Sequence, residues 1–131
     1  MKKRMLYLSH PSGGLKENEL DTQECVRLIL KNDDIFNNFC LISPVNSFSF
    51  MYNDKDIGYD RGLAFCTDLL RHCDIMIVVG DYTASKGCIE EIRICKELNI
   101  PYIEFKSYGD LKEAVDKGLC NIMLSMNRGG K

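Results

Sequence analysis

The chain has 131 residues, 45% of them hydrophobic, and a formal net charge of -2 at pH 7. The length predicts one domain over residues 1–131, with enough apolar residues for a hydrophobic core. The weak charge disfavours binding to a nucleic-acid polymer, and no apolar run reaches the roughly 18 residues that span a bilayer. Since the apolar run in "MKKRMLYLSH" is too short for a signal peptide, we expect a cytoplasmic protein without membrane contact.

Strand-like and helical segments alternate along the chain. In chain order the sequence predicts a strand at 5–8, a helix at 17–31, a strand at Phe39–Ile42, a loop at 45–57, a helix at 59–72, a strand at Ile75–Val79, a helix at 85–98, a strand at Tyr102–Phe105 and a helix at 111–117. A capping box formed by Asp110 and Glu113 is expected to start the last helix. The residues after about 118 are expected to form a flexible tail.

This alternation predicts an α/β fold: a three-layer sandwich with a parallel sheet of four or five strands, Rossmann-like or flavodoxin-like. The uninterrupted apolar run Ile75–Val79 is typical of a strand buried on both faces, so we place it and 5–8 at the centre of the sheet. The seven cysteines include no CxxC pair. We interpret them as small core residues in a reducing compartment, and not as metal ligands or as partners in disulfide bonds.

Two loops that follow predicted strands combine glycine with serine. In "SHPSGG", Ser9 and Ser12 supply hydroxyls, while Gly13 and Gly14 let the backbone approach a ligand closely. The second loop, "GDYTASKGCIEE", opens a helix whose first N–H groups can bind a phosphate or a hydroxyl. Each loop alone is also typical of a strand-to-helix turn without a ligand, and a lone histidine such as His10 is more often structural. In a parallel sheet both loops would face one crevice at the carboxyl ends of the strands.

Helical phase distinguishes the two adjacent glutamates of the second loop. With Cys88 placed at zero, Glu91 falls at about 300°, inside the apolar arc of the helix, while Glu90 falls near 200° on the polar face. A carboxylate on the apolar side must be paired, hydrogen-bonded or exposed to a pocket, because burial of an isolated charge is unfavourable. We therefore expect Glu91 to line the crevice and Glu90 to face solvent or the helix end.

"YLSHPSGG", "SPVNSF" and "CDIMIVVGDYTASKGCIEEIRICKELNIPYIEF" together resemble the nucleoside 2-deoxyribosyltransferase-like superfamily, in particular its small bacterial and phage members. The resemblance covers roughly residues 5–105. Its most specific part is a serine, any residue, a glycine, three residues and a glutamate, here Ser85, Gly87 and Glu91. This implies that Glu91 is the nucleophile that attacks the anomeric carbon of a nucleoside and that Tyr7 orients it.

The resemblance also implies a set of substrate-binding residues that hold the sugar or its 5′-phosphate. These are Ser9, His10, Ser12, Gly13, Gly14, Asn46, Ser85 and Gly87. One position departs from the pattern, since catalytic relatives have an aspartate eight residues before Asp74, where this chain has Cys66. The nearest acid is Asp68, which a shifted helix would have to bring into the site as the third catalytic residue.

Three functions remain open on this reasoning. The first is an enzyme that cleaves or transfers an N-glycosidic bond of a nucleoside or nucleotide through a glutamyl ester, with no metal or redox cofactor. The second is a non-catalytic protein that binds or sequesters a nucleotide, which Cys66 favours. The third is a purely structural oligomer. We expect a homodimer or a larger homo-oligomer, for which "SFSFMY" and "NIMLSM" are candidate interface segments.

Overall fold

The computed structural model describes residues 2–12 and 15–129. Within these ranges the chain forms four strands, seven α-helices and one short 3-10 helix. In chain order they are β1 (Arg4–Ser9), α1 (Lys16–Lys31), α2 (Asp33–Asn38), β2 (Phe39–Ile42), α3 (Pro44–Phe48), the 3-10 helix (Ser49–Asn53), α4 (Gly58–Arg71), β3 (Ile75–Val79), α5 (Lys86–Leu98), β4 (Tyr102–Phe105), α6 (Tyr108–Asp116) and α7 (Leu119–Ser125). None of these helices has both the length and the apolar character required to cross a membrane.

The four strands form one parallel sheet in the order β2-β1-β3-β4. β1 and β3 occupy the centre, in a register that pairs Leu6 with Ile75 and Leu8 with Ile77. All five residues of β3 are buried, because helices cover both faces of the sheet at this strand. The predicted parallel α/β sandwich and its two central strands are therefore confirmed.

The side chains of β1 alternate between two hydrophobic clusters, as the two-residue period of a strand requires. Leu6 and Leu8 join the cluster formed with α1, α2, α6 and α7, whereas Tyr7 joins the cluster formed with α4 and α5. The sheet is thus the middle layer of three. Six of the seven cysteines are buried, as predicted for core residues, whereas Cys40 is exposed on β2.

The predicted loop at 45–57 is wrong over most of its length. Pro44 occupies the first turn of α3, where its missing N–H is not needed, and Val45 is buried behind it. The 3-10 helix follows directly and buries Met51. These two helices have five residues each, which is too short for a hydrophobic period to be recognised in the sequence.

The predicted start of the next-to-last helix is also wrong. The N-cap of α6 is Ser107, whose Oγ accepts a hydrogen bond from the backbone N–H of Asp110 at 3.2 Å. Asp110 therefore lies inside the first turn instead of capping it. Ser107 and Asp110 have the same spacing as the predicted pair Asp110 and Glu113, so the helix begins three residues earlier than predicted.

The predicted flexible tail after about 118 is contradicted by α7. Leu119, Cys120 and Met123 are buried against the sheet, and the Arg4 guanidinium donates to the Met123 carbonyl at 2.8 Å and to the Met126 carbonyl at 2.6 Å. The backbone N–H of residue 129 also donates to the Asn99 carbonyl at 3.0 Å. The apolar side chains of α7 belong to the same hydrophobic cluster as residues of β1, α1 and α6, and their burial favours the helix.

Candidate functional site

A crevice of about 810 Å³ opens at the carboxyl ends of β1 and β3. Parallel α/β sheets bind ligands at this edge, because the loops that leave neighbouring strands meet there. One wall is formed by residues 9–12, which follow β1, and the facing wall by residues 80–88, which follow β3. Other lining residues come from α1, the 3-10 helix, the start of α4 and the segment after β4, and include Asp21, Tyr52, Asn53, Tyr59 and Lys106.

Glu91 lies at the bottom of this crevice and is 7% exposed. Ser9 Oγ donates to Glu91 Oε1 at 2.6 Å, and the Tyr7 hydroxyl donates to Glu91 Oε2. Both donors come from β1, so the central strand directly orients the carboxylate on α5. Glu90, one position earlier, instead accepts a hydrogen bond from the exposed Arg93 guanidinium at 2.7 Å. The predicted placement of both glutamates is confirmed.

The environment of Glu91 changes its acidity. Burial raises the pKa of Glu91 from 4.5 to about 7, although the hydrogen bonds from Ser9 and Tyr7 favour the charged form and act in the opposite direction. Burial, reinforced by the charge of Glu91, also raises the pKa of Tyr7 well above its ordinary value. Tyr7 therefore remains a protonated donor, while Glu91 is present in both protonation states at neutral pH.

The wall that follows β3 contributes the first turn of α5. Ser85 is the N-cap, and its Oγ accepts a hydrogen bond from the Cys88 N–H at 3.3 Å. The N–H groups of Lys86 and Gly87 belong to this first turn, where an α-helix supplies no internal acceptor. A Cβ on Gly87 would have only Leu63 Cδ1 within 4 Å, at 3.8 Å, so contacts within the chain do not require glycine there. Ser85 and Gly87 both line the crevice, as predicted.

At Gly80, where the loop leaves β3, the backbone conformation does require glycine. Its φ is +108°, and a Cβ there would lie 3.1 Å from Pro11 Cδ. Few L-residues adopt this backbone conformation, and the small residue lets the loop after β3 approach the loop after β1. The sequence shows a glycine where this loop leaves β3, but no local pattern predicts its positive φ.

In the wall that follows β1, Ser9, His10 and Ser12 line the crevice as predicted. The Ser12 carbonyl accepts hydrogen bonds from the Leu15 N–H at 2.9 Å and from Asn18 Nδ2 at 3.1 Å, which holds the loop against the start of α1. Both ring nitrogens of His10 already contact protein oxygens. The predicted substrate-binding residues Gly13 and Gly14 lie outside the described residues.

A family model described as "Domain of unknown function (DUF7768)" matches residues 4–105. The chain belongs to the DUF7768 family. The matched range runs from β1 to β4, so it includes both crevice walls and Glu91, while α6 and α7 follow it. No curated protein matches the chain.

Two predicted site residues of this DUF7768 chain lie away from the crevice, which corrects the sequence analysis. Asp68 is exposed on α4, because a position two residues from the buried Cys66 is turned by about 200° around a helix. Asn46 is exposed on α3, where it accepts a hydrogen bond from Ser43 Oγ at 2.9 Å and donates to the Glu19 carbonyl at 3.3 Å. Asn46 therefore links α3 to α1 by a hydrogen bond and is not among the residues that line the crevice.

Cys66, at the sequence position where the resemblance implies an acid, lies beside Tyr52. The Tyr52 hydroxyl lies 3.6 Å from Cys66 Sγ, and the Tyr52 ring packs 5.1 Å from the ring of Tyr59. Gly62 makes room for this ring, since a Cβ at that position would lie 2.8 Å from Tyr52 Cδ1. Burial raises the pKa of Tyr52 well above its ordinary value, so its hydroxyl stays protonated. The predicted catalytic and substrate-binding residues do not include Tyr52. The sequence indicated only that the aromatic run at 48–52 could cover the base, fill the core or form an oligomer interface.

Proposed function

We propose that this DUF7768 chain cleaves or exchanges the N-glycosidic bond of a nucleoside or nucleotide, with Glu91 as the nucleophile, in the manner of the nucleoside 2-deoxyribosyltransferase-like superfamily. The observation that supports the proposal is the buried Glu91 carboxylate, oriented by the Tyr7 and Ser9 hydroxyls at the bottom of a crevice. A carboxylate that is buried without a cationic partner is unfavourable for folding, and such groups are concentrated at functional sites.

In the proposed reaction a Glu91 carboxylate oxygen attacks the anomeric carbon of the sugar. The carbon–oxygen bond of a glycosyl ester forms as the carbon–nitrogen bond to the base breaks, and the base leaves with the electron pair of that bond. Water then hydrolyses the ester, or a second base displaces Glu91, which restores the free carboxylate. The Tyr52 hydroxyl is a candidate donor to the departing base, because it lines the crevice and keeps its proton.

The charges and donors of the crevice fit a substrate with an anionic or hydroxyl-bearing end. The first-turn N–H groups of α5 carry the positive end of the helix dipole, and Lys86 and Lys106 also line the crevice. The sugar or its 5′-phosphate would bind there, with the base toward Tyr52 and Tyr59. We place this reaction in the cytoplasm, in accordance with the buried thiols of the core.

A homodimer or larger assembly is part of the proposal. Phe50 in "SFSFMY" is 64% exposed, and Ile122 and Leu124 in "NIMLSM" are 50% and 39% exposed. Exposed apolar side chains of this size are typical of association surfaces. Light scattering at micromolar concentration should give a mass of at least twice 15.0 kDa, and a 15.0 kDa particle would contradict this part of the proposal.

The second candidate function is a protein that binds a nucleotide without turnover. It is favoured by one observation: Cys66 stands where catalytic relatives have an acid, and Asp68 does not replace it. A binding protein could keep the serines, the helix N-terminus and the buried glutamate of the crevice.

The deciding experiment is incubation with a panel of nucleosides and nucleoside 5′-phosphates, with released base measured by chromatography and binding measured by calorimetry. The enzyme proposal expects base release by the wild type, none by Glu91→Gln and nearly unchanged release by Glu90→Gln. Binding without release by the wild type would favour the second function. Equal loss in both variants would contradict the assignment of Glu91, because Glu90 lies outside the crevice and is paired with the exposed Arg93.

A further inference from the structure

One cluster of metal-ligating side chains lies at the edge of the crevice and is not used by the proposed reaction. A ring nitrogen of His10, a carboxylate oxygen of Asp21 and Cys25 Sγ all lie within 4.8 Å of one another. Asp21 and Cys25 are four residues apart on α1, so they project from the same face of that helix, toward the end of β1. His10 is 6% exposed and Cys25 is fully buried, whereas Asp21 lines the open side of the crevice.

The hydrogen bonds of His10 orient its ring as in a metal site. Nδ1 lies 2.8 Å from the Pro11 carbonyl oxygen, which can only accept a hydrogen bond, so Nδ1 carries the proton. Nε2 is then directed at Asp21 Oδ2, 2.6 Å away. A lone pair on Nε2 facing a carboxylate needs a positive charge between them, which either a proton or a metal ion supplies. Metal-ligating histidines typically donate their other N–H to a carbonyl or a carboxylate in this way.

We propose that His10, Asp21 and Cys25 bind a zinc-type divalent transition metal at the edge of the crevice. One imidazole, one carboxylate and one thiolate suit Zn²⁺ rather than Mg²⁺ or Ca²⁺, which prefer oxygen ligands. Three protein ligands leave the fourth tetrahedral position to water or to an oxygen of a crevice ligand. Two ligand atoms on one zinc lie roughly 3.3 Å apart, so Asp21 must move by about 0.7 Å from its present 2.6 Å contact with His10 Nε2. Its side chain is 45% exposed and has the freedom to do so.

The test is a titration of the reduced protein with Co²⁺, a spectroscopic substitute for Zn²⁺. It is carried out in a Cys40→Ser background, because Cys40 is the exposed thiol. A tetrahedral site with a thiolate should give a sulfur-to-cobalt band in the near ultraviolet and intense visible bands, which added Zn²⁺ removes. Cys25→Ala should abolish the sulfur band, and Asp21→Asn should weaken Co²⁺ binding roughly tenfold or more.

Cys73→Ala is the matched control, because Cys73 is equally buried but belongs to the other hydrophobic cluster. It should keep the sulfur band. If Cys25→Ala does not fold, Asp21→Asn still tests the site, because a substitution at the partly exposed Asp21 should not prevent folding. Absence of a sulfur band at micromolar Co²⁺, a band that survives Cys25→Ala, or binding unaffected by Asp21→Asn would each overturn the proposal. None of these results depends on glycosidic activity, so the two proposals can fail separately.

Discussion

Replacing Glu91 by glutamine should remove a large pH-dependent contribution from the stability of the protein. An unfolded chain has the ordinary glutamate pKa of 4.5, whereas the folded protein holds Glu91 at about 7. The folded state therefore binds this proton more tightly than the unfolded state does. The contribution to the free energy of unfolding is fully present below pH 4.5 and is lost as the pH rises through 7.

The size of the effect follows from the interval between the two pKa values. At 1.36 kcal/mol per pKa unit, it corresponds to about 3 kcal/mol in total, of which about 2 to 3 kcal/mol falls between pH 5 and pH 8. Glutamine has nearly the same shape but never carries the charge. Relative to the wild type, Glu91→Gln should therefore gain about 2 to 3 kcal/mol in free energy of unfolding between pH 5 and pH 8.

The assay is denaturant unfolding followed by circular dichroism at pH 5 and pH 8, with a reducing agent present for the seven cysteines. Comparing variant with wild type at each pH cancels the titration of all other groups that do not contact Glu91. Glu90→Gln is the control, and its small effect should be nearly independent of pH over this range because that carboxylate is already paired with Arg93. A Glu91→Gln difference in free energy of unfolding that is the same at both pH values would refute the reasoning.

Four further outcomes follow from the same structure. Base release by the wild type should rise as the pH increases through about 7, since only the ionised Glu91 is nucleophilic, and a pH–rate profile measures this. Tyr7→Phe removes one donor to that carboxylate, so the midpoint of the profile should move to higher pH and the rate at pH 7 should fall roughly 10- to 100-fold. Gly62→Ala should displace the Tyr52 ring and therefore raise KM in steady-state kinetics. It should also lower the free energy of unfolding by about 1 kcal/mol, measured by thermal unfolding, because the overpacking against Tyr52 outweighs the higher helix propensity of alanine. Met123→Ala should cost about 2–5 kcal/mol by denaturant unfolding, as for any fully buried core residue, whereas an unaffected variant would mean that α7 does not belong to the core.

The elements of the sheet could be predicted because their signals are local. Phe39–Ile42, Ile75–Val79 and Tyr102–Phe105 have the predicted bounds, since short apolar runs between polar segments need no distant partner to be recognised. The short helices at Pro44–Phe48 and Ser49–Asn53 were missed because five residues do not complete two helical turns. The helix at Leu119–Ser125 was missed because its burial depends on a hydrophobic cluster that residues from distant parts of the chain complete.

The inward orientation of Glu91, and not of Glu90, could be predicted from the sequence, because helical phase is set by the 3.6-residue repeat alone. The hydrogen-bond partners of that carboxylate, in contrast, depend on how the strands and helices pack. Tyr7 is separated from it by 84 positions and Ser9 by 82, and no local pattern connects residues so far apart. The same holds for His10, Asp21 and Cys25, whose spacing matches no metal-binding motif and which meet because β1 ends beside α1. Contacts between elements depend on how the sheet and its helices pack, and that packing brings together residues that the order of the chain keeps apart.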